Sequence, residues 1–531
     1  MSQYTYSGKV PLSLITDALE AFRTYKSDRE PFIARVRDNE AFYRRSYERM
    51  FPDINSNMSC DTPFIFAAIE NCRADAIDNF PSANIIEREA EGSTVAELLS
   101  KVIKTQLEVC DYKSVYKENV RNKLKYGTAI YGVFYDDKKK CIDIKSIDIS
   151  DIYVDMNICD VQESRFLFIS SAVENEVLRE RYPHLKDLFS GDTVIDTLTG
   201  SHTLKDRTCV LDCYYKKSDG SVHLLKLANE TVIAATEDMA GYEKGLYSHG
   251  KYPVVFDVLY PSGHSPFGFG MIDIGKNTQV SINKLDDAIE MNIMCASKPR
   301  YLSKRNGGIN EEEFCDASKS IVHYEGDTDS IRAIDHITIN EYFLSHRERK
   351  KEELKEILAN RDFQQGGTTG GVTAASAIET LRQAGEKRSR AIINDTYDSF
   401  KAVIQMVIEL MREFYTQKRA YRIYDSNGQR AFAEFSNAMM YTPCVDGEGV
   451  GTKELMFDID VTIQRENPYS RENVNNTMLN LWSKGIFAPD NYETAVVTLK
   501  NMQFDGKEKL IADLQSLYEK EVPYGENQEN R

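Results

Sequence analysis

The spacing of apolar residues changes period twice along this chain, and any fold must satisfy both changes. Up to Gly127 apolar positions recur at helical spacing, as in FIARV, FYRRSY and PFIFAAIENCRADAIDNF. Asp28 stands where it would cap a helix running toward Phe51, and Thr62-Pro63 supplies a cap followed by a first-turn proline. STVAELLSKVIKTQLEVCDYKSVYKENVRNKLKYG then makes one long amphipathic helix or two, ended by Gly127. From 128 to 260 the period drops to two. GTAIYGVFYD and CIDIKSIDI flank the turn DDKKK as a hairpin, and RFLFISSAV, RTCVLDCYYKK, VHLLKLA, TVIAATE and YPVVFDVLYP read as further strands. One helix, ENEVLRERY, interrupts them. The order is no βαβ repeat, so the pattern predicts an α+β chain that is predominantly helical.

Helical spacing returns after HSPFGFG. MIDIGKNTQVSINKLDDAIEMNIMCA would span roughly 40 Å as a helix. A strand-rich insert follows (PRYLSKRNGG, SIVHYEG, SIRAID), and Thr338 with Glu341 forms a capping box that opens the next helix. Beyond NRDFQQGGTTGGVT, Ala377, Leu381, Ala384, Arg388, Ala391, Phe400, Ile404, Val407, Met411 and Phe414 recur every three to four residues. Uninterrupted, that helix reaches roughly 65 Å, unless Gly385 bends it. ELMFDIDVTI is a late strand. The C-terminal stretch is helical again, with Gly485 as one C-cap, and the composition of YGENQENR predicts disorder.

The loop GGTTGGVT invites a phosphate-binding reading, since Gly366, Gly371 and Thr373 match part of G-x-x-x-x-G-K-[ST]. Val372 occupies the lysine position, and a helix precedes the loop where that motif needs a strand. Nucleotide hydrolysis therefore finds little support. The eight histidines form no HxxxH or HExxH pair, and His264 in SGHSPFG lacks a serine elbow. Cys209, Cys213 and the nearby His202 make a weak metal set, and Asp148, Asp151 and Asp155 do not match a calcium loop. The ten cysteines contain no CxxC and read as free thiols. No apolar run approaches the roughly 18 residues of a membrane span. The start, MSQYTYSGKVPL, has no signal-peptide pattern. No catalytic residue, metal or cofactor is expected, and the chain reads as a non-enzyme.

Charge adds a constraint. Lys and Arg total 66 against 83 Asp and Glu, a net of −17. A protein that grips DNA usually does so through a basic surface. This one either avoids DNA or meets it without holding it.

The colinear order resembles the portal proteins of tailed bacteriophages, and four stretches carry the resemblance. HSPFGFGMIDIGKNTQVSINKLDDAIEMNI is similar to a glycine-containing turn entering the first stem helix, with Gln279 and Asn283 one turn apart. PRYLSKRNGG and SKSIVHYEGDTDSIRAID are similar to a clip. DISDIYVDMNICDVQESRFLFI is similar to a wing element. GGTTGGVTAASAIETLRQAG resembles the tunnel loop and its following helix, and is the most specific match. The resemblance implies a wing over 1–265, with its β-rich part at 128–260, a first stem helix at 266–297 and a clip at 298–338. A second stem helix at 339–361, a tunnel loop at 362–373, a long helix at 374–418, wing strands at 419–466 and a helical crown with a tail at 467–531 complete it.

It also implies a closed homo-oligomeric ring, usually of twelve subunits, at one capsid vertex. Double-stranded DNA would enter the capsid through it in packaging and leave through it in ejection. Implied partners are the large terminase, then a head–tail adaptor, the major capsid protein around the wing, and a scaffolding protein; no membrane is involved. Assembly would take place in the host cytoplasm. On this reading Gln364, Gln365, Gly366, Gly367, Thr368, Thr369, Gly370 and Gly371 face DNA in the channel. Glycine lets such a loop reshape as DNA passes. Arg347, Lys350, Lys351 and Lys355 are either channel cations or a solvated helix face knit by pairs such as Glu352–Lys355. Two rival functions stay open: a packaging ATPase subunit, and a capsid scaffold that never meets DNA.

Overall fold

The computed structural model describes residues 9–45, 62–88, 92–239, 241–242, 245–297, 301–303, 310–316, 318, 321, 323, 331–333, 341–358, 387–424, 430–446, 449–465, 480–481, 483–485, 496, 499, 510–514 and 516. The described chain opens with helices α1 (Leu12–Asp28), α2 (Glu30–Tyr43) and α3 (Phe64–Asp78), then strand β1 (Asn79–Glu87). Helices α4 (Ser93–Val109) and α5 (Tyr112–Tyr126) lead to β2 (Thr128–Asp136), β3 (Cys141–Ile147), β4 (Ile152–Tyr153) and β5 (Phe166–Glu174). After α6 (Asn175–Arg181) come β6 (Thr193–Thr197), β7 (Gly200–Leu204), β8 (Arg207–Lys216), β9 (Val222–Ala228) and β10 (Thr231–Ala235). β11 (Val254–Val258), β12 (Tyr260–Ser262) and β13 (Ser265–Phe269) precede the long α7 (Met271–Ser297). β14 (Tyr301–Ser303), α8 (Glu311–Cys315), β15 (Ile331–Ala333) and α9 (Glu341–Ile357) follow. The last elements are α10 (Lys387–Phe414), β16 (Arg419–Tyr424), β17 (Arg430–Phe435), β18 (Tyr441–Asp446), β19 (Gly449–Glu454) and β20 (Phe457–Arg465). Helix and sheet are both present, and each described strand pair is antiparallel.

The chain divides into two compact units. The first comprises Met1–Glu40, Ile69–Gly270 and Glu386–Arg531; the second comprises Ala41–Ala68 and Met271–Gly385. In the first unit a five-stranded sheet runs β10-β9-β8-β5-β4, and a three-stranded sheet runs β11-β2-β3. Alternation along the strands sends Ile130, Leu167, Tyr214 and Val254 into one core shared by these sheets. On the five-stranded sheet, Ile15 and Ala18 of α1 bury Phe168, Cys213 and Leu225, and Leu178 of α6 joins Val210 and Ile233. Helix α10 lays Phe400, Ile404, Val407 and Met411 inward, the apolar stripe read from its periodicity. Each such side chain contributes at most about 1.5–3 kcal/mol by leaving water. Phe414 stacks on Tyr135 with ring centroids 4.1 Å apart.

Several expectations are corrected by tertiary context. Asp28 ends a helix and does not cap one: the Arg29 amide closes α1 on the Tyr25 carbonyl at 3.1 Å. Pro31 is tolerated only in a first helical turn, so the next helix must restart just before it, at Glu30. The 93–126 run is two helices, broken where Asp111 takes φ 48°. Residues 79–87, expected as part of the helical N-terminal stretch, form β1, whose partner is β20. The hairpin β6–β7 also went unread, its residues being largely polar. In the insert, strands β14 and β15 lie within the expected PRYLSKRNGG and SIRAID and pair with each other, and the short helix α8 was not foreseen. Thr338 of the capping box and the 374–386 part of the long helix lie outside the described residues.

Candidate functional site

In the second unit α7 and α9 form an antiparallel pair. Gly275 approaches Leu358 at one end, and Asp286 meets Arg347 further along. Leu354 is buried at the seam. Near the start of α7, the Gln279 amide donates to the Thr62 carbonyl and to Asn283 Oδ1, both at 2.8 Å. The two amides singled out from the sequence thus form one buried link.

Four of the five α9 cations, those singled out from the sequence, are each engaged within the subunit. Arg347 holds Asp286 through Nε and Nη2, and that hydrogen bonding raises its own pKa. Lys350 pairs with Glu353 at 2.8 Å, Lys351 with Glu348 at 3.6 Å and Lys355 with Glu352 at 3.3 Å. Exposed pairs of this kind contribute only a few tenths of a kcal/mol each, but they neutralise the helix face. The loop residues Gln364, Gln365, Gly366, Gly367, Thr368, Thr369, Gly370 and Gly371 lie outside the described residues.

One feature of this unit was missed in the sequence. Because α7 and α9 are antiparallel, residues 291–294 and 342–344 reach the same end of the pair. Met291 is 70% exposed, Ile293 and Met294 are more than half exposed, and Tyr342, Phe343 and Leu344 are exposed beside them. Tyr301 and Leu302 of β14 are exposed too, with the Tyr301 ring edge-on to Phe314 at 4.8 Å. The signal was present in EMNIMCA, where large apolar residues surround the helix instead of forming one stripe.

The groups in the first unit that suggested chemistry do not assemble into a reactive site. Asp148 Oδ1 accepts from the Ser150 amide and hydroxyl, and Asp155 Oδ1 accepts from the Asn157 amide, so each carboxylate serves its own turn. Cys213 is buried in β8, while His202 on β7 meets Thr199. Among the described residues no group of three or more His, Cys, Asp or Glu is placed to hold a metal ion. His223 is buried between Ser221 and Thr236, and Ser221 Oγ is 2.6 Å from Asp219 Oδ1. Here the serine donates to the acid and the histidine lies outside that bond, the reverse of a nucleophile–base–acid order. His264 is exposed in the β12–β13 turn.

Burial pushes the Asp151 carboxyl up to about 6, with neighbouring Asp148 adding to the rise and Ser170 and Arg29 opposing it. The folded state therefore keeps a proton that the unfolded chain releases near its ordinary value. The stability this confers is complete below about pH 4 and is lost as pH rises through about 6. Asp151→Asn is expected to leave stability unchanged at about pH 4 and to raise it by on the order of 2 kcal/mol above about pH 6.5. Equal unfolding curves for variant and parent at the higher pH would count against this.

No described helix is long and apolar enough to cross a membrane. The described residues make an acidic α+β chain with paired α9 cations and exposed apolar residues on the α7–α9 pair. A sequence model of the phage P22-like portal protein family matches residues 67–252 and 311–530. The chain belongs to that family and is a portal protein, a component of the phage virion. No curated protein matches it.

Proposed function

We propose that copies of this chain close into a ring, of twelve subunits by the family pattern, at one capsid vertex. Double-stranded DNA passes along its axis during packaging and ejection, and no bond chemistry is performed. The observation that carries self-assembly is the apolar end of the second unit. An exposed patch of this extent marks a surface meant to be covered, and a second copy of the chain covers it. The net charge of −17 supports passage without retention, since a polyanion releases few counterions against an acidic wall. Arg347, Lys350, Lys351 and Lys355 of α9 fit that picture, because each already has an acidic partner in its own subunit. The 362–373 stretch, rich in glycine and threonine, is the channel loop in this reading, with uncharged side chains toward the DNA. The clip at 298–338 receives the large terminase and later the head–tail adaptor. The coat shell surrounds the wing, and a scaffolding protein guides assembly.

Negative-stain images of purified protein are expected to show rings with a central hole and countable rotational symmetry. Met291→Glu with Leu302→Glu is expected to weaken ring assembly at least about tenfold by mass photometry. Solid, single-subunit particles from the parent protein would overturn the ring. ATP hydrolysis above background would favour a packaging motor instead.

A further inference from the structure

The tip of the β2–β3 hairpin gathers cations that the proposed channel does not use. Lys138, Lys139 and Lys140 are consecutive and exposed, and none has an ion pair with a described residue. The nearest acid in sequence folds the turn while keeping its charge. Asp136 Oδ1 accepts from the amides of Lys138 at 2.9 Å and Lys139 at 3.2 Å, and those amide bonds hold its carboxyl below the usual range. Lys140 adopts φ 51°, which closes the turn onto Cys141. A fourth cation is delivered from a distant strand. The Arg419 guanidinium lies over the Tyr415 ring at 3.8 Å, and the Tyr415 hydroxyl reaches the Ile142 amide at 3.4 Å. Burial raises the Cys141 thiol pKa, Asp136 and Asp143 add to the rise, and the charges of Lys139 and Arg419 oppose it.

Every charged group at this tip can be accounted for. Lys145 pairs with Asp143 at 2.9 Å, and Asp136 faces backbone amides. That leaves four cations, Lys138, Lys139, Lys140 and Arg419, against two acids, Asp136 and Asp137, a net of +2. On neighbouring strands Lys418 is paired with Glu434. In so acidic a chain, a turn that keeps a net positive charge stands apart from the average.

We propose that this hairpin tip, with Arg419, is a seat for the phosphate backbone of duplex DNA, separate from the loop and the α9 cations. The proposal rests on the portal reading above. Two features favour phosphate over a protein surface. Lysine is depleted at protein interfaces, and three lysines on one turn suit a sequence-independent polyanion. Arg419 is pre-oriented by stacking, so its planar fork can take a phosphate with little further ordering.

The test uses assembled wild-type rings, a short random-sequence duplex and fluorescence anisotropy over a range of salt. Lys138→Gln, Lys139→Gln and Lys140→Gln together are expected to weaken binding at low salt by at least about tenfold. They should also reduce the slope of log affinity against log salt by about 2–3. Arg419→Gln should weaken it further, and Arg419→Lys should restore part of the loss. Neutralising Lys350, Lys351 and Lys355 should change neither quantity. Unchanged affinity and slope in the triple variant overturn the proposal. Rings that dissociate in the triple variant, with DNA binding per subunit intact, overturn it in favour of a contact with the acidic surface of another copy. Intact parent rings that fail to bind duplex at low salt sink this seat and spare the ring, whereas absence of rings sinks the portal reading itself.

Discussion

Asp257→Ala is expected to destabilise the first unit by about 3–5 kcal/mol, because it strands a buried ammonium group. Lys123 on α5 and Asp257 on β11 pair at 2.6 Å with side chains 1% and 0% exposed. Two hydroxyls of α10, one turn apart, hold the two ends of the pair. Lys123 Nζ donates to Thr396 Oγ1 at 2.8 Å, and Ser399 Oγ donates to Asp257 Oδ1 at 3.1 Å. Burial pushes the Asp257 carboxyl up, and Lys123 is the main force pulling it back. Removing one charge leaves the other with no water to solvate it. Native-state hydrogen exchange in β11 and the middle of α10 should accelerate by roughly two to three decades in the variant. Lys123→Met with Asp257→Leu should recover most of the loss, since well-packed apolar substitutes for a buried pair are often neutral or better. A single variant that costs under about 1 kcal/mol would show that water already reaches the pair.

That pair also marks where sequence reasoning stops. Helical stripes were legible because they are local: Phe400, Ile404, Val407 and Met411 declare one face by spacing alone. The hairpin β2–β3 was legible for the same reason, its two strands being joined by a short polar turn. β1 was not, because its partner β20 lies some 370 residues away and nothing near Pro81 announces it. Lys123, Asp257, Thr396 and Ser399 come from three elements, and a buried lysine looks like any other until the fold brings its acid. In the candidate site the cations of α9 and their i,i+3 acids could be read as a pattern, whereas the Arg347–Asp286 bond depends on the antiparallel helix pair. The apolar end was visible in EMNIMCA but was absorbed into a generic long helix.

Gly127→Ala is expected to cost about 3 kcal/mol or more, for two separable reasons. Gly127 ends α5 at φ 87°, where an L-residue pays roughly 1–2 kcal/mol. An added Cβ would also lie 2.2 Å from the Phe269 carbonyl carbon and 2.4 Å from its Cα, and backbone cannot swing aside as a side chain can. The crowding has a cause. β13 crosses the end of α5 so closely that a Cβ at Gly268 or Gly270 would also meet backbone, at the Tyr260 and Lys125 carbonyls. The Gly127 carbonyl meanwhile accepts from the Leu259 amide at 2.8 Å, and the Gly268 amide donates to Thr128 Oγ1 at 2.9 Å. Moving β13 to make room would break the Gly268–Thr128 bond and disturb the segment that leads into α7. Gly191→Ala isolates the conformational part, since Gly191 has φ 90° and open space around it. The difference between the two variants in thermal or urea unfolding measures the close approach. If Gly127→Ala proves no worse than Gly191→Ala, the crossing is looser than its geometry implies, and the three glycines are there for turn conformation alone.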